Sequence, residues 1–246
     1  MHNKHYNNII LKNNIVPNSN TEKEILLKLV VQKEKFILED SVNALTYNKA
    51  IIPLSENYTI KQYINEINKI TNQYYFMYIK ISQFEAFLRT YINHKMIRVY
   101  GEKWHQDPIM KDLTEFQTPT MTHINKPSKA LNSISFGTLE LVYLNGSRFG
   151  NVFQDKLHSD KILTKDGKPK YHNKGLVKGL FSIVRNARND ICHHRRIGES
   201  LKSNPKYSKK KMSRSDVIKS LDDLKILLGY DDQFDVKSVH LEYNKF

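Results

Sequence analysis

The chain has a single cysteine, Cys192, in 246 residues, so no internal disulfide can form and the disulfide-stapled secreted class is excluded. Glycine and proline are scarce, 9 and 7 residues, which argues against a turn-rich all-β fold because tight hairpin turns need them. No stretch approaches the roughly 20 consecutive apolar residues of a membrane span. The first residues, Met1 to Val16, are Asn-rich and carry no continuous apolar run, so they do not read as a signal peptide, and a cytoplasmic location is the expectation. Acidic residues are also in deficit, 25 against 39 Lys and Arg, for a net charge of +14. A positive field of that size favours an anionic partner: RNA, DNA or a membrane surface.

What is present is helical periodicity. Residues 1–20 read as a polar N-terminal arm, and 21–246 as one helical domain, all-α. Ser19 with Glu22 has the spacing of a capping box ahead of a helix over about Thr21 to Leu45, with Ile25, Leu26, Leu29, Val30, Phe36 and Ile37 inward. Thr59 with Gln62 repeats that signal before a run from Ile60 to Val99, either one long helix or two with a bend, in which Tyr74, Tyr78, Ile81, Phe84 and Leu88 keep the period. Three prolines make residues 101–130 an irregular connection. Ser135 is placed to cap a short helix carrying Phe136, Leu139, Val142 and Tyr143. A further helix is expected over about Lys174 to His194. A last one is expected from Ser213 or Ser215 through Val217, Ile218, Leu221, Leu224 and Leu228, with Gly229 as its stop. Only the last ten residues hint at a strand.

The chemistry concentrates at Arg188-Asn189-Asp190-Ile191-Cys192-His193-His194, at the end of a helix. Asn189 and His193 share a helical face. Arg188 and His193 are offset by about 140° and about 7.5 Å along the axis, so a long guanidinium must lean round towards the imidazole. These residue types suit phosphodiester cleavage in RNA. The substrate supplies its own 2′-hydroxyl nucleophile, a His exchanges protons near neutral pH, and an Arg holds and neutralises the phosphate. Neither role needs a metal. The alternative is a surface helix end with basic residues complementing the dipole.

The basic stretch beyond it, Arg195 to Arg214, sets eight Lys and Arg against Glu199 alone. Arg195, Arg196, Lys206, Lys209, Lys210, Lys211 and Arg214 are the candidate RNA contacts, and Tyr207 offers a stacking face. Cys192, His193 and His194 with His158 and His172 lack the paired spacing of a zinc site, so no metal and no cofactor is expected.

The stretch Arg188-Asn189 to His193-His194 is similar to the R-N-x-x-x-H-H signature of the Abi-like group of HEPN ribonucleases, the AbiD and AbiF relatives of bacterial abortive infection. Ser135-Phe136-Gly137-Thr138-Leu139 resembles that group's S-F-G-T-L segment. Glu85-Ala86-Phe87-Leu88-Arg89 resembles its E-x-x-L-R helix. The three lie in the family's order over residues 84–194, but Arg195-Arg196-Ile197-Gly198 departs from the R-L-W-N that often follows in the group, and residues 1–58 match nothing in it.

The resemblance implies a HEPN-type helical bundle with additional N-terminal helices. It also implies a metal-independent endoribonuclease that acts as a toxin or antiviral defence effector. Arg188, Asn189, His193 and His194 would be catalytic, in a homodimer that pairs two Arg–His sets, with RNA as substrate and a small antitoxin RNA among the inhibitors. Glu85 and Arg89 read as a helix-propping pair or support for the site. Ser135, Phe136 and Gly137 read as a cap, a core anchor and a close-packing glycine. The alternative is a non-catalytic RNA-binding module of the same fold, complexed with a structured small RNA.

Overall fold

The computed structural model describes residues 15, 17–51, 58–106, 131–132, 134–140, 148–156, 161–163, 169–171, 173–199 and 212–230. The fold is all-α apart from one short hairpin. The helices are α1 (Asn20–Gln32), α2 (Lys35–Ile51), α3 (Ile60–Tyr100), α4 (Phe136–Leu139), α5 (Arg148–Phe153), α6 (Lys174–Cys192) and α7 (Arg214–Leu228). Strands β1 (Lys161–Leu163) and β2 (Pro169–Tyr171) pair antiparallel, an element the alternation pattern did not reveal. Among the described residues no helix is long and apolar enough to cross a membrane. The chain gathers into two compact units, Met1–Tyr78 with Asn189–Lys209, and Ile79–Arg188 with Lys210–Phe246.

In the first unit the single helix expected over Thr21 to Leu45 is two. Ser19 caps α1 by accepting the Glu22 N–H, and the Glu22 carboxylate takes the Asn18 N–H. At Lys33 the backbone turns extended, and Glu34 restarts the helix, its carbonyl accepting the N–H groups of Ile37 and Leu38. The apolar pattern hides the break. Buried Leu26 and Ile37 are eleven residues apart, close to a whole number of helical turns, so the stripe stays in phase across it. Ile25, expected inward, is exposed. Thr59 and Gln62 form their reciprocal cap at the start of α3. Tyr63 and Tyr58 tie α2 by donating to the carbonyls of Leu38 and Leu45, and Phe36 packs on Tyr74 at 5.0 Å. Ile15, within the expected polar arm, is buried and bridges to Tyr58.

The second unit holds the rest of α3, which runs unbroken to Tyr100. Just before the boundary, in the part of α3 that belongs to the first unit, the inward position is Met77; Tyr78 is exposed, which corrects the stripe by one residue. Phe181 of α6 packs between Phe84 and Phe153, at 6.2 and 5.9 Å. Burying such rings stabilises the unit by roughly 2–3 kcal/mol each. Ser213 opens α7 with a complete capping box to Asp216, and Gly229, left-handed at φ 69°, closes it. Ile218 faces solvent; Val217, Leu221, Leu224 and Leu228 form the buried face. Val142 and Tyr143, and the last ten residues, lie outside the described residues.

Candidate active site at the end of helix α6

Helix α6 begins where Asn173 accepts the Leu176 N–H, and its buried stripe runs through Val177, Phe181, Val184 and Ala187. Leu176, Ile183 and Ile191, expected inward, are only half-buried. One turn on, the same stripe places Asp190, whose side chain is completely buried. A carboxylate there is costly unless it is hydrogen-bonded. Its Oδ2 accepts the Gly198 N–H at 2.8 Å, where Gly198 is left-handed at φ 85°. Asp190 thus ties the end of the helix to the turn that follows. Its position three residues after Ala187 on an apolar stripe was a signal sequence reasoning passed over.

The helix stops at Cys192, two residues earlier than expected, because His194 turns left-handed at φ 53°. The His194 N–H reaches the Ile191 carbonyl at 3.1 Å and the Arg195 N–H reaches that of Asp190 at 2.8 Å. This is the Schellman closure. Helix α7 ends in the same way, through Gly229 to Ile226 and Tyr230 to Lys225. The difference is that α7 uses glycine. At the end of α6 a histidine occupies the left-handed position, at a cost of roughly 1–2 kcal/mol in backbone strain. It is the one non-glycine residue with positive φ among those described.

The turn is held from several sides. His194 Nδ1 lies 3.0 Å from Glu34 Oε1, Arg196 reaches Glu39 and Asp40 at 3.1 and 2.8 Å, and the Ile197 N–H donates to the Tyr74 hydroxyl at 3.4 Å. Burial works against the Arg196 charge. The Asp40 and Glu39 carboxylates outweigh it and hold the guanidinium protonated more firmly than usual. Arg196, read from sequence as an RNA contact, is therefore already neutralised by acidic residues of α2. His193, at the cap, has its N–H on the Asn189 carbonyl at 3.0 Å and its side chain exposed, as is Arg195.

Arg188 lies on the last full turn of α6, half-buried, with Nε 3.6 Å from Glu85 Oε2. That separation gives attraction without a hydrogen bond. The other oxygen of Glu85 takes Arg89 at 2.5 Å, and Arg89 also donates to the carbonyls of Leu131 and Ile134. Glu85 and Arg89 are thus the expected i,i+4 pair and more: they fasten the strand of chain that leads into Ser135. Ser135 caps α4 by accepting the Thr138 N–H, and Phe136 is buried.

Within the second unit Glu85, Arg89 and Arg188 form one ion-pair cluster, which Arg89 ties to the Leu131 and Ile134 carbonyls just ahead of Ser135. Among the described residues two Arg share one carboxylate there. A second pair, Arg185 with Glu140 at 2.7 Å, was not foreseen. Burial pushes the Glu140 carboxyl up, and Arg185 and Lys178 only partly pull it back. Gly137 is not a close-packing glycine. A Cβ there would meet Arg185 Cδ and Ser135 Oγ at 3.7 Å, an ordinary contact.

Arg214 is half-buried at the first turn of α7. Lys206, Tyr207, Lys209, Lys210 and Lys211 lie outside the described residues, as do His158 and His172. Among the described residues no cluster of His, Cys, Asp and Glu could hold a metal ion. No family model matches the chain, and neither does any curated protein or solved structure.

Proposed function

We propose that the chain is a metal-independent endoribonuclease of HEPN type, acting in the cytoplasm as a toxin or abortive-infection effector. One observation carries the reading. Helix α6 ends in an exposed imidazole, His193, on a turn fixed by Asp190, while Arg188 on the preceding turn is held by Glu85 without a hydrogen bond. An exposed proton carrier on an anchored turn, and a guanidinium that makes no hydrogen bond to its carboxylate partner, suit attack of a 2′-hydroxyl on its phosphate. Asn189 lies on the same helical face as His193 and would orient the substrate.

The basic stretch from Arg195 onward would guide the RNA, with Arg196 contributing little because the Glu39 and Asp40 carboxylates already neutralise its charge. Two copies of the chain would pair their helix ends around one phosphate. A small structured RNA would serve as an inhibitor of matching charge. The test is cleavage of RNA in EDTA by wild type against Arg188→Ala and His193→Ala. The expected products end in a 2′,3′-cyclic phosphate or its opened 3′-phosphate, and both variants should be inactive. Strict dependence on Mg²⁺ would overturn the mechanism. Tight RNA binding without any cleavage would leave a non-catalytic RNA-binding module. Mixed dimers of wild type and His193→Ala should show reduced activity per wild-type chain.

A further inference from the structure

General acid–base cleavage of RNA needs two proton carriers, and the paired histidines differ in how they are built into the fold. His194 sits in the left-handed region at φ 53°, three-quarters exposed, with Nδ1 3.0 Å from Glu34 Oε1. An ionised carboxylate only accepts, so the proton between them belongs to Nδ1 and Nε2 is turned to the other side of the ring. A carboxylate that fixes the tautomer and orientation of an imidazole in this way is a device for proton transfer. Glu34 is available because α1 stops at Gln32 and α2 starts at Lys35; in an uninterrupted helix its backbone would lie mid-helix.

A purely structural role explains His194 poorly. Helix α7 closes with the same two backbone hydrogen bonds through Gly229, without strain. An ion pair this exposed contributes too little to justify a strained residue. Strained, well-anchored positions are where functional side chains gather.

We propose that Glu34 and His194 form a carboxylate–imidazole dyad that carries one of the two proton transfers of RNA cleavage, with His193 carrying the other. The inference rests on the ribonuclease reading. In the step, the 2′-oxygen bonds to phosphorus as its proton passes to one imidazole. The bond from phosphorus to the 5′-oxygen breaks, and that oxygen keeps the electron pair and takes a proton from the other ring, present as imidazolium. A 2′,3′-cyclic phosphate and a 5′-hydroxyl result, with no water or co-reactant consumed. The two rings then exchange protons with solvent. Both carriers lie on consecutive residues, so each copy brings both to the phosphate that the paired helix ends would surround.

The test uses the full chain, a short RNA oligonucleotide and EDTA. His194→Gly keeps the left-handed turn in the form α7 already uses and removes only the ring. Cleavage should fall by about 100-fold or more. RNA affinity should stay within about threefold, the melting temperature should not drop, and imidazole added to the buffer should restore part of the rate. His194→Asn, also tolerated in the left-handed region, should behave alike. Glu34→Ala should lower kcat by about tenfold with KM unchanged, as loss of an orienting group does. His194→Gly cleaving within about threefold of wild type would overturn the dyad while leaving His193 and the ribonuclease reading intact. A wild-type chain that binds RNA and cleaves none would instead overturn that reading.

Discussion

Replacing Asp190 by Ala removes the one carboxylate on the buried stripe of α6 and orphans the Gly198 N–H, itself buried. Leaving such a donor without a partner costs roughly 1–3 kcal/mol. Asp190 makes further interactions in the folded chain, so a loss of about 2 kcal/mol is the lower end of the expectation. For a protein of this size that is a fall of about 4–8 °C in melting temperature. Asp190→Asn keeps an acceptor oxygen and should lose about 1 kcal/mol or less. Calorimetry or thermal circular dichroism gives the first number. Amide exchange at Gly198 gives a local one, since a hydrogen bond weakened by about 2 kcal/mol speeds exchange about 30-fold where opening is local. The same loosening should slow RNA cleavage, because His193 is carried on the turn that Asp190 holds. If Asp190→Ala melts within about 1 °C of wild type and leaves Gly198 exchange unchanged, the carboxylate does not anchor the turn and the argument for a fixed His193 fails.

Arg89→Met should cost about 3 kcal/mol, read as a lower urea midpoint with an unchanged slope, because Arg89 serves Glu85 and the carbonyls of Leu131 and Ile134; a change under about 1 kcal/mol would show that the cluster is dispensable. Burial raises the Glu140 carboxyl above its usual range, so the folded chain keeps that proton to higher pH than the unfolded one, and the stability it contributes is lost as pH rises through the folded value. Glu140→Gln removes this titration. Its melting temperature minus that of wild type should therefore grow more positive between about pH 4 and pH 7, and a difference that falls would reverse the sign. Changing Lys209, Lys210 and Lys211 together to Ala should weaken RNA binding across sequences and lower the salt slope by about 0.7 per lost phosphate contact; an unaltered slope would mean that these lysines do not touch the backbone.

Much of the helical architecture could be read from local pattern. Ser19, Thr59, Ser135 and Ser213 are caps because a side-chain oxygen and an N–H three residues on lie within one turn of each other, whatever the rest of the chain does. Gly229 ends α7 for the same local reason. The stripe through Phe84, Leu88 and Ile92 marks the inner face of α3 by periodicity alone. Periodicity failed where a break preserved phase, at Lys33 and Glu34, and where the residue on the stripe was charged, at Asp190. It also slipped by one position among the adjacent aromatic and methionine residues at 74–78.

The arrangement at the end of α6 belongs to tertiary structure. Arg188, His193 and His194 are adjacent in sequence and were recognisable as a chemical set, but their partners are not adjacent. Glu34 meets His194 across 160 positions, and Glu39 meets Arg196 across 157. No spacing rule reaches that far, because which carboxylate meets which cation depends on how whole helices pack, after each helix has formed. The left-handed turn at His194 is decided in the same way. Local preference for L-residues is right-handed, and the anchors at Asp190 and Tyr74 on either side of the turn hold the other conformation in place. The sequence by itself determined most of the helices, their caps at Ser19, Thr59, Ser135 and Ser213, and the residue types gathered at one terminus; packing decided the break at Lys33, the left-handed stop at His194, and which of the terminal side chains are pinned, which are neutralised and which stay exposed.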